Sequence, residues 1–135
     1  PVFEFQSTCL GMMICFDWVF PEAARTLALQ GAQIICHPAN LVLPYCQAAM
    51  VTRSLENAVF SITANRTGSE ATSHQSLHFT GNSQIIGPKG EKLASASEAE
   101  TCLKIVAVNP EQAHDKFFTP RNNLFIDRRP DAYSL

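Results

Sequence analysis

The feature that most restricts this fold is the changing hydrophobic period between positions 8 and 64. Residues 8–15 contain Leu10, Gly11, Met12, Met13 and Ile14, a nearly continuous apolar run that reads as a strand buried on both faces. Pro21 then sits where a helix opens, with Glu22 at the positive end of the dipole. Residues 23–30 are mostly strong helix formers, and Gly31 suits the position just past the helix end. A second strand is predicted over 32–36. His37-Pro38-Ala39-Asn40 breaks it, and Pro44 keeps the loop irregular. Helical composition returns over 47–57, and 59–64 forms a third strand. Strand, helix, strand, helix, strand at these lengths predicts a parallel or mixed sheet in an α/β fold.

The flanks read differently. Residues 2–6 place Phe3 and Phe5 opposite Glu4 and Gln6, which suits a half-exposed strand. Beyond the third strand, 67–76 is a polar surface loop, 81–86 a strand, Pro88-Lys89-Gly90 a turn, and Leu93 begins the return. A further strand is predicted over 102–108, so this half is expected to be antiparallel and hairpin-built. Residues 110–118 suit a short helix, and 119–135 form a tail rich in Arg, Asn and Pro.

Composition excludes several classes. With 10 Lys+Arg against 12 Asp+Glu and no basic block, the chain is not built for nucleic acid. No window reaches the roughly 18 apolar residues of a membrane span. Ile, Val, Leu and Phe recur throughout, which argues against disorder. A length of 135 residues taken alone suits one compact domain, although opening on Pro1 gives the chain the look of part of something longer. Cys9, Cys15, Cys36, Cys46 and Cys102 are odd in number and lack a C-x-x-C pair. That favours reduced thiols in a cytoplasmic compartment, most of them packed as small buried hydrophobes.

Cys15 falls where a buried strand ends and helical sequence is about to begin. Such a junction presents a nucleophile at the carboxyl edge of a sheet. The free N–H groups of the following turn are there to hold an oxyanion. A packed structural thiol is the competing explanation at that position. Other pairings compete for a function. Cys15 and His37 would make a Cys–His dyad if neighbouring strands brought them together. His74 and His78, with Cys36-His37, carry metal-ligand residue types without a C-x-x-C or H-E-x-x-H pattern. Glu22 with Arg25 and Arg53 with Glu56 have i,i+3 spacing for helical ion pairs, and the second pair would either brace a pocket or lie on the surface. Asn65-Arg66 is a pocket rim or a turn-stabilising pair. Arg121, Arg128 and Arg129 with Asp127 and Asp131 suit salt-bridged packing or a subunit contact.

The text around Cys15 narrows these choices. Gly11 through Glu22, reading Gly-Met-Met-Ile-Cys-Phe-Asp-Trp-Val-Phe-Pro-Glu, followed by Arg25 and Gly31-Ala32, resembles the nucleophile segment of the nitrilase superfamily of carbon–nitrogen hydrolases. His37-Pro38-Ala39-Asn40, Arg53 with Glu56-Asn57, Thr63-Ala64-Asn65-Arg66-Thr67-Gly68, Gly81-Asn82-Ser83, Pro88-Lys89-Gly90-Glu91 and, more faintly, Arg128-Arg129-Pro130 with Tyr133 follow in family order. Cys-Phe-Asp-Trp and His-Pro-Ala-Asn look most like small prokaryotic nitrilases and aliphatic amidases.

The resemblance implies the C-terminal portion of a four-layer α-β-β-α sandwich, spanning 1–135. Residues 119–135 would form a tail that contacts other subunits in a homo-oligomer. Phe117, Phe118, Leu124 and Phe125 would then be either interface or core. The implied activity is hydrolysis of a small amide, N-carbamoyl or nitrile substrate through a thioester, releasing ammonia, with no metal or organic cofactor. Cys15 is the implied nucleophile, the Phe16 backbone N–H an oxyanion donor, and Asn40 a substrate-pocket residue. The family's general-base Glu and oxyanion Lys lie before the cysteine and are expected outside this chain. Neither Glu4 nor Glu22 fits the base. The 135 residues alone are therefore expected to be inactive. The alternative is a non-catalytic chain with a structural or interaction role.

Overall fold

The computed structural model describes residues 1–133. β1 (Val2–Phe5) folds back antiparallel onto β2 (Thr8–Met12) through Gln6 and Ser7, both at positive φ. The chain then alternates as its hydrophobic period dictates, through α1 (Pro21–Leu29), β3 (Ile34–Ala39), α2 (Cys46–Asn57) and β4 (Phe60–Asn65). β2, β3 and β4 are parallel neighbours. After an outlying hairpin of β5 (Ser69–Ala71) and β6 (Ser76–His78), β7 (Gln84–Ile86) and β8 (Lys92–Ser95) add to the sheet antiparallel, giving the order β1-β2-β3-β4-β7-β8. The mixed sheet and antiparallel second half are as the sequence predicts.

Both crossover helices pack on one face of the sheet and touch each other. Pro21 opens α1 at its first turn, where a missing N–H costs nothing. Leu27, Ala28, Ile35, Met50 and Val59 fill the interface as part of one apolar core, and each large side chain buried there contributes about 1.5–3 kcal/mol. Gly11 suits this close packing, because a Cβ at that point would lie 3.1 Å from Ala32 Cβ and 3.2 Å from Leu27, so those neighbours would have to give by a few tenths of an ångström. Ser54 and Ser61 join α2 to β4 through a 2.7 Å hydroxyl bond. One sheet layer and one helix layer of the expected sandwich are thus present.

The opposite sheet face is open, with Met12 and Ile62 both exposed. The apolar run 8–15 is therefore not buried on both sides, and its strand stops at Met12. Phe3 and Phe5 are likewise exposed on β1, so that strand hides neither face well. β3 does not break at His37-Pro38 but runs to Ala39. Pro38 is tolerated because β2 pairs with β3 only as far as Cys36, leaving no ladder donor to supply on that side. The polar segment 67–76 holds strand β5 and the start of β6 rather than a plain loop.

The strand expected over 102–108 does not form: Leu103 and Ile105 are 82% and 84% exposed, and its backbone has no strand beside it among the described residues. A ladder needs a partner whatever the side-chain alternation. The helix expected over 110–118 is a 3₁₀ turn, Pro110–His114, capped by Asn109. It is followed by β9 (Phe117–Thr119), which pairs with β10 (Asn122–Asn123).

Arg25 does not pair with Glu22. Its Nη2 donates to the Glu56 carbonyl at 2.8 Å, and its guanidinium lies 5.4 Å from the Phe125 ring. Lys116 Nζ donates to the carbonyls of Asn57 (2.8 Å) and Ala58 (3.0 Å), 4.8 Å from the same ring. Two cations thus serve the open carbonyls at the end of α2, and Phe125 packs against the core as their platform. Burial, with help from Arg25, pulls the Lys116 amine down to about 8. α3 (Pro130–Tyr133) ends the described tail; the last two residues of the 119–135 segment lie outside the described residues.

Gly81 has φ +53°, and a Cβ there would sit 1.9 Å from the Glu98 carbonyl oxygen. Gly81→Ala should therefore lower unfolding free energy by about 2–5 kcal/mol, the sum of left-handed strain and overpacking. Chemical denaturation of the polypeptide checks this; an unchanged midpoint would contradict it.

Candidate active site

β2 ends at Met12, and Cys15 opens the 3₁₀ turn Cys15–Val19. Ile14 is extended, but Cys15 has φ +47°. A side chain at that angle costs about 1–2 kcal/mol, so the surroundings must hold it there. Asp17 braces one side: its carboxylate accepts from the Ile14 N–H at 2.8 Å, and its own N–H donates to the Ile14 carbonyl at 3.1 Å.

His37 braces the other side. It lies 1% exposed on β3, and its Nε2 is 2.8 Å from the Cys15 carbonyl oxygen. A carbonyl only accepts, so Nε2 carries the proton. Nδ1 is then the acceptor, and the Thr63 hydroxyl donates to it at 3.2 Å. Burial pushes the His37 pKa down, against the opposing pull of the Cys15 bond and the Asp17 charge. The ring is therefore neutral at pH 7. Cys15 and His37 do come together, but not as the dyad the sequence allowed: both ring nitrogens are engaged away from the thiol.

The structure brings Cys15 and Asn40 together. The Cys15 Sγ is 4.0 Å from the Asn40 carbonyl oxygen. Both line a cleft of about 470 Å³ at the carboxyl ends of β2, β3 and β4, together with Ile14, Pro38, Ala64 and Arg66. Phe16 follows directly. Its ring is exposed and packs edge-on against Trp18 and Phe20, at centroid distances of 6.3 and 6.1 Å. Its N–H sits in a first helical turn, where no carbonyl of the turn is available. A thiol, a first-turn N–H and an open cleft are the parts needed to attack a carbonyl-type carbon and hold the negative oxygen that forms.

The remaining candidates resolve into supports. Asn65 is a hub: its Oδ1 accepts from the Leu41 N–H at 2.8 Å, and its Nδ2 donates to Thr80 Oγ1 (3.0 Å) and the Gly81 carbonyl (2.7 Å). It ties the Asn40 loop to the Gly81-Asn82-Ser83 turn. Arg66 stands on the cleft rim, paired with Glu70 and lying 4.2 Å from the Phe79 ring centroid. Arg53 and Glu56 form the expected i,i+3 pair at 3.1 Å. His78 is engaged by Ser69 at 2.8 Å and Glu98 at 2.7 Å.

All five cysteines are free, but only Cys46 is buried, so the expectation of mostly buried thiols is corrected. A larger groove of about 520 Å³ belongs to the open sheet face beside 100–104, and Cys15 does not line it. Asp17 and Thr63 fall within the quoted motifs, but the sequence gives neither a role, because their contacts with Ile14 and His37 depend on the turn and on strand register. The usable signal was His37 falling two residues after Ile35, on the same buried strand face.

The carbon–nitrogen hydrolase family profile matches residues 1–115. A nitrilase of Pyrococcus abyssi is 46% identical over 132 residues, covering 98% of this chain and 49% of its own. An N-carbamoylputrescine amidase of Solanum tuberosum is 31% identical, covering 99% and 49%. Among solved structures, the NitN amidase of Nesterenkonia sp. AN1 superimposes with a TM-score of 0.76 at 25% identity, over 98% of this chain and 47% of that one. In another structure of a Nesterenkonia sp. AN1 amidase, the acetamide moiety of fluoroacetamide is covalently added at the active-site cysteine; it is 29% identical with a TM-score of 0.67, over 73% of this chain and 37% of that one. The chain spans about half the length of the curated relatives it matches. These matches support the family and that extent, and not the C-terminal placement expected from the sequence.

Burial and the nearby Cys15 push the Cys46 thiol up to about 12. Cys46 therefore stays protonated across neutral and mildly alkaline pH. Iodoacetamide at pH 8 should leave it unmodified in the native polypeptide and label it only after unfolding, as read by peptide mass spectrometry. Native labelling of Cys46 would contradict its environment.

Proposed function

Because the chain belongs to the carbon–nitrogen hydrolase family, we propose that Cys15 is the nucleophile of a hydrolase acting on a non-peptide carbon–nitrogen bond in the complete polypeptide. The single observation that carries this is the backbone of Cys15: a non-glycine residue held at φ +47° at the carboxyl edge of the sheet, with its side chain on a cleft. Strain of that kind persists only where the surroundings maintain it.

The thiolate attacks the carbon of an amide or carbamoyl group. The new S–C bond forms, the π electrons move onto oxygen, and the Phe16 N–H donates to that oxygen. Collapse expels the nitrogen, protonated, as ammonia. Water then cleaves the thioester and returns the thiol. Asn40 borders the substrate beside Sγ, consistent with its 4.0 Å approach. A nitrile carbon would be attacked by the same thiolate with the π electrons moving onto nitrogen; the protonated thioimidate then adds one water before ammonia leaves, and a second water cleaves the thioester.

No residue of this chain is assigned as the general-base Glu or the oxyanion Lys that the family resemblance implies. Glu4 on β1 and Glu22 at the start of α1 do not replace them. The 135 residues alone are accordingly proposed to be inactive. The substrate is proposed to be a small amide, N-carbamoyl compound or nitrile, in keeping with the named activities of the relatives. Residues 119–135, with exposed Phe117 and Phe118 nearby, are proposed to serve a homo-oligomer contact. The free thiols fit a reducing, cytoplasmic compartment.

Ammonia release by the complete polypeptide from simple amides and nitriles tests the assignment. Cys15→Ala should lower it by about 10³-fold or more. Unchanged release in that variant would remove Cys15 from the chemistry.

A further inference from the structure

We propose that His37 is a positioning residue that sets the direction of the oxyanion donor. This rests on Cys15 being the nucleophile. The Cys15 carbonyl and the Phe16 N–H belong to one planar trans peptide, so they point in opposite directions. His37 Nε2–H holds the carbonyl at 2.8 Å, on the buried side of β3. The Phe16 N–H is thereby turned away from the core, toward the side where Cys15 lines the cleft. A peptide at a tight turn with a left-handed residue has a second orientation within reach, the plane flipped with the N–H inward. That flip would remove the donor and leave the thiol in place.

The tautomer is itself specified. Thr63 stands opposite His37 in the parallel register of β3 and β4, and its hydroxyl engages Nδ1 at 3.2 Å. With Nδ1 occupied as an acceptor, the proton resides on Nε2 and is available to the carbonyl. Asp17 anchors the opposite flank of the same turn through the Ile14 N–H. The Cys15–Phe16 peptide is thus held by a chain running Thr63, His37, Cys15 carbonyl. No member of that chain requires a proton transfer during the reaction.

Variants of the complete polypeptide test this through two rates that a purely structural role would move together. Acyl transfer needs the oxyanion donor, whereas alkylation of Cys15 by iodoacetamide develops no oxyanion. His37→Leu should lower kcat by about 100-fold, the usual cost of one such donor, with KM and the Cys15 alkylation rate each within about threefold of the parent. His37→Gln, whose side-chain amide reaches the same carbonyl, should restore kcat to within about fivefold and leave the pH profile unchanged. Thr63→Val should lower kcat by roughly 3- to 10-fold with KM unmoved, by freeing the ring to change tautomer.

Three results would overturn the proposal: an unchanged kcat in His37→Leu, equal loss of kcat and alkylation, or a His37→Gln variant as impaired as His37→Leu. If His37→Leu does not fold, His37→Gln and Thr63→Val decide the matter by the same criteria. Failure of the nucleophile assignment would appear separately, as activity surviving Cys15→Ala.

Discussion

The bond from a neutral, buried His37 to the carbonyl of Cys15 is the contact on which the geometry of this site depends. It spans the boundary between two neighbouring strands at the point where one ends and the other continues. β2 stops at Met12, paired with Cys36, and the next residue of β3 is His37. The ring therefore reaches the chain just as it turns. Pro38 follows at a position where β2 no longer needs a donor, and β3 carries on to deliver Asn40 to the same cleft. A strand that overruns its neighbour by a few residues is what brings a histidine beneath the cysteine and an asparagine beside it.

The rest of the fold serves that offset. α1 lies close against β2, where a Cβ at position 11 would come within 3.2 Å of Leu27 and Ala32, and this tight approach seats the strand that leads to the cysteine. α2 is pinned at its end by Arg25 and Lys116 acting on open carbonyls over Phe125, and within its length by the Ser54–Ser61 bond to β4. β4 supplies Thr63 to the histidine and Asn65 to the loops on either side of the cleft. Site and scaffold share one set of contacts, so a change in packing under β3 or β4 is transmitted to the peptide that follows Cys15.

Much of the layout was legible in the sequence, because hydrophobic period and helix punctuation are local signals. Pro21, Gly31 and the two helical stretches placed the crossovers, and the position of Cys15 at a strand end followed from them. The errors came from non-local causes. The apolar run 8–15 looked doubly buried because composition does not say which sheet face is covered. Segment 102–108 looked like a strand because alternation is present without the partner that would complete a ladder. Arg25 chose a carbonyl at the end of α2 over Glu22 one turn away, which only the docking of two helices decides. His37 was weighed as a proton-transfer partner of the thiol because residue type suggests chemistry. Its actual contact, with a backbone oxygen, depends on strand register and on the left-handed turn at Cys15, and neither is written in the residue types.

The most direct measurement is rapid-quench peptide mass spectrometry of the complete polypeptide during turnover of a simple amide. The expected result is a transient mass increase equal to the acyl group on the peptide bearing Cys15, appearing and decaying with the catalytic cycle and absent from the peptides bearing Cys9, Cys36, Cys46 and Cys102. Turnover that proceeds while Cys15 stays unmodified, or an acyl group found on another residue, would contradict it.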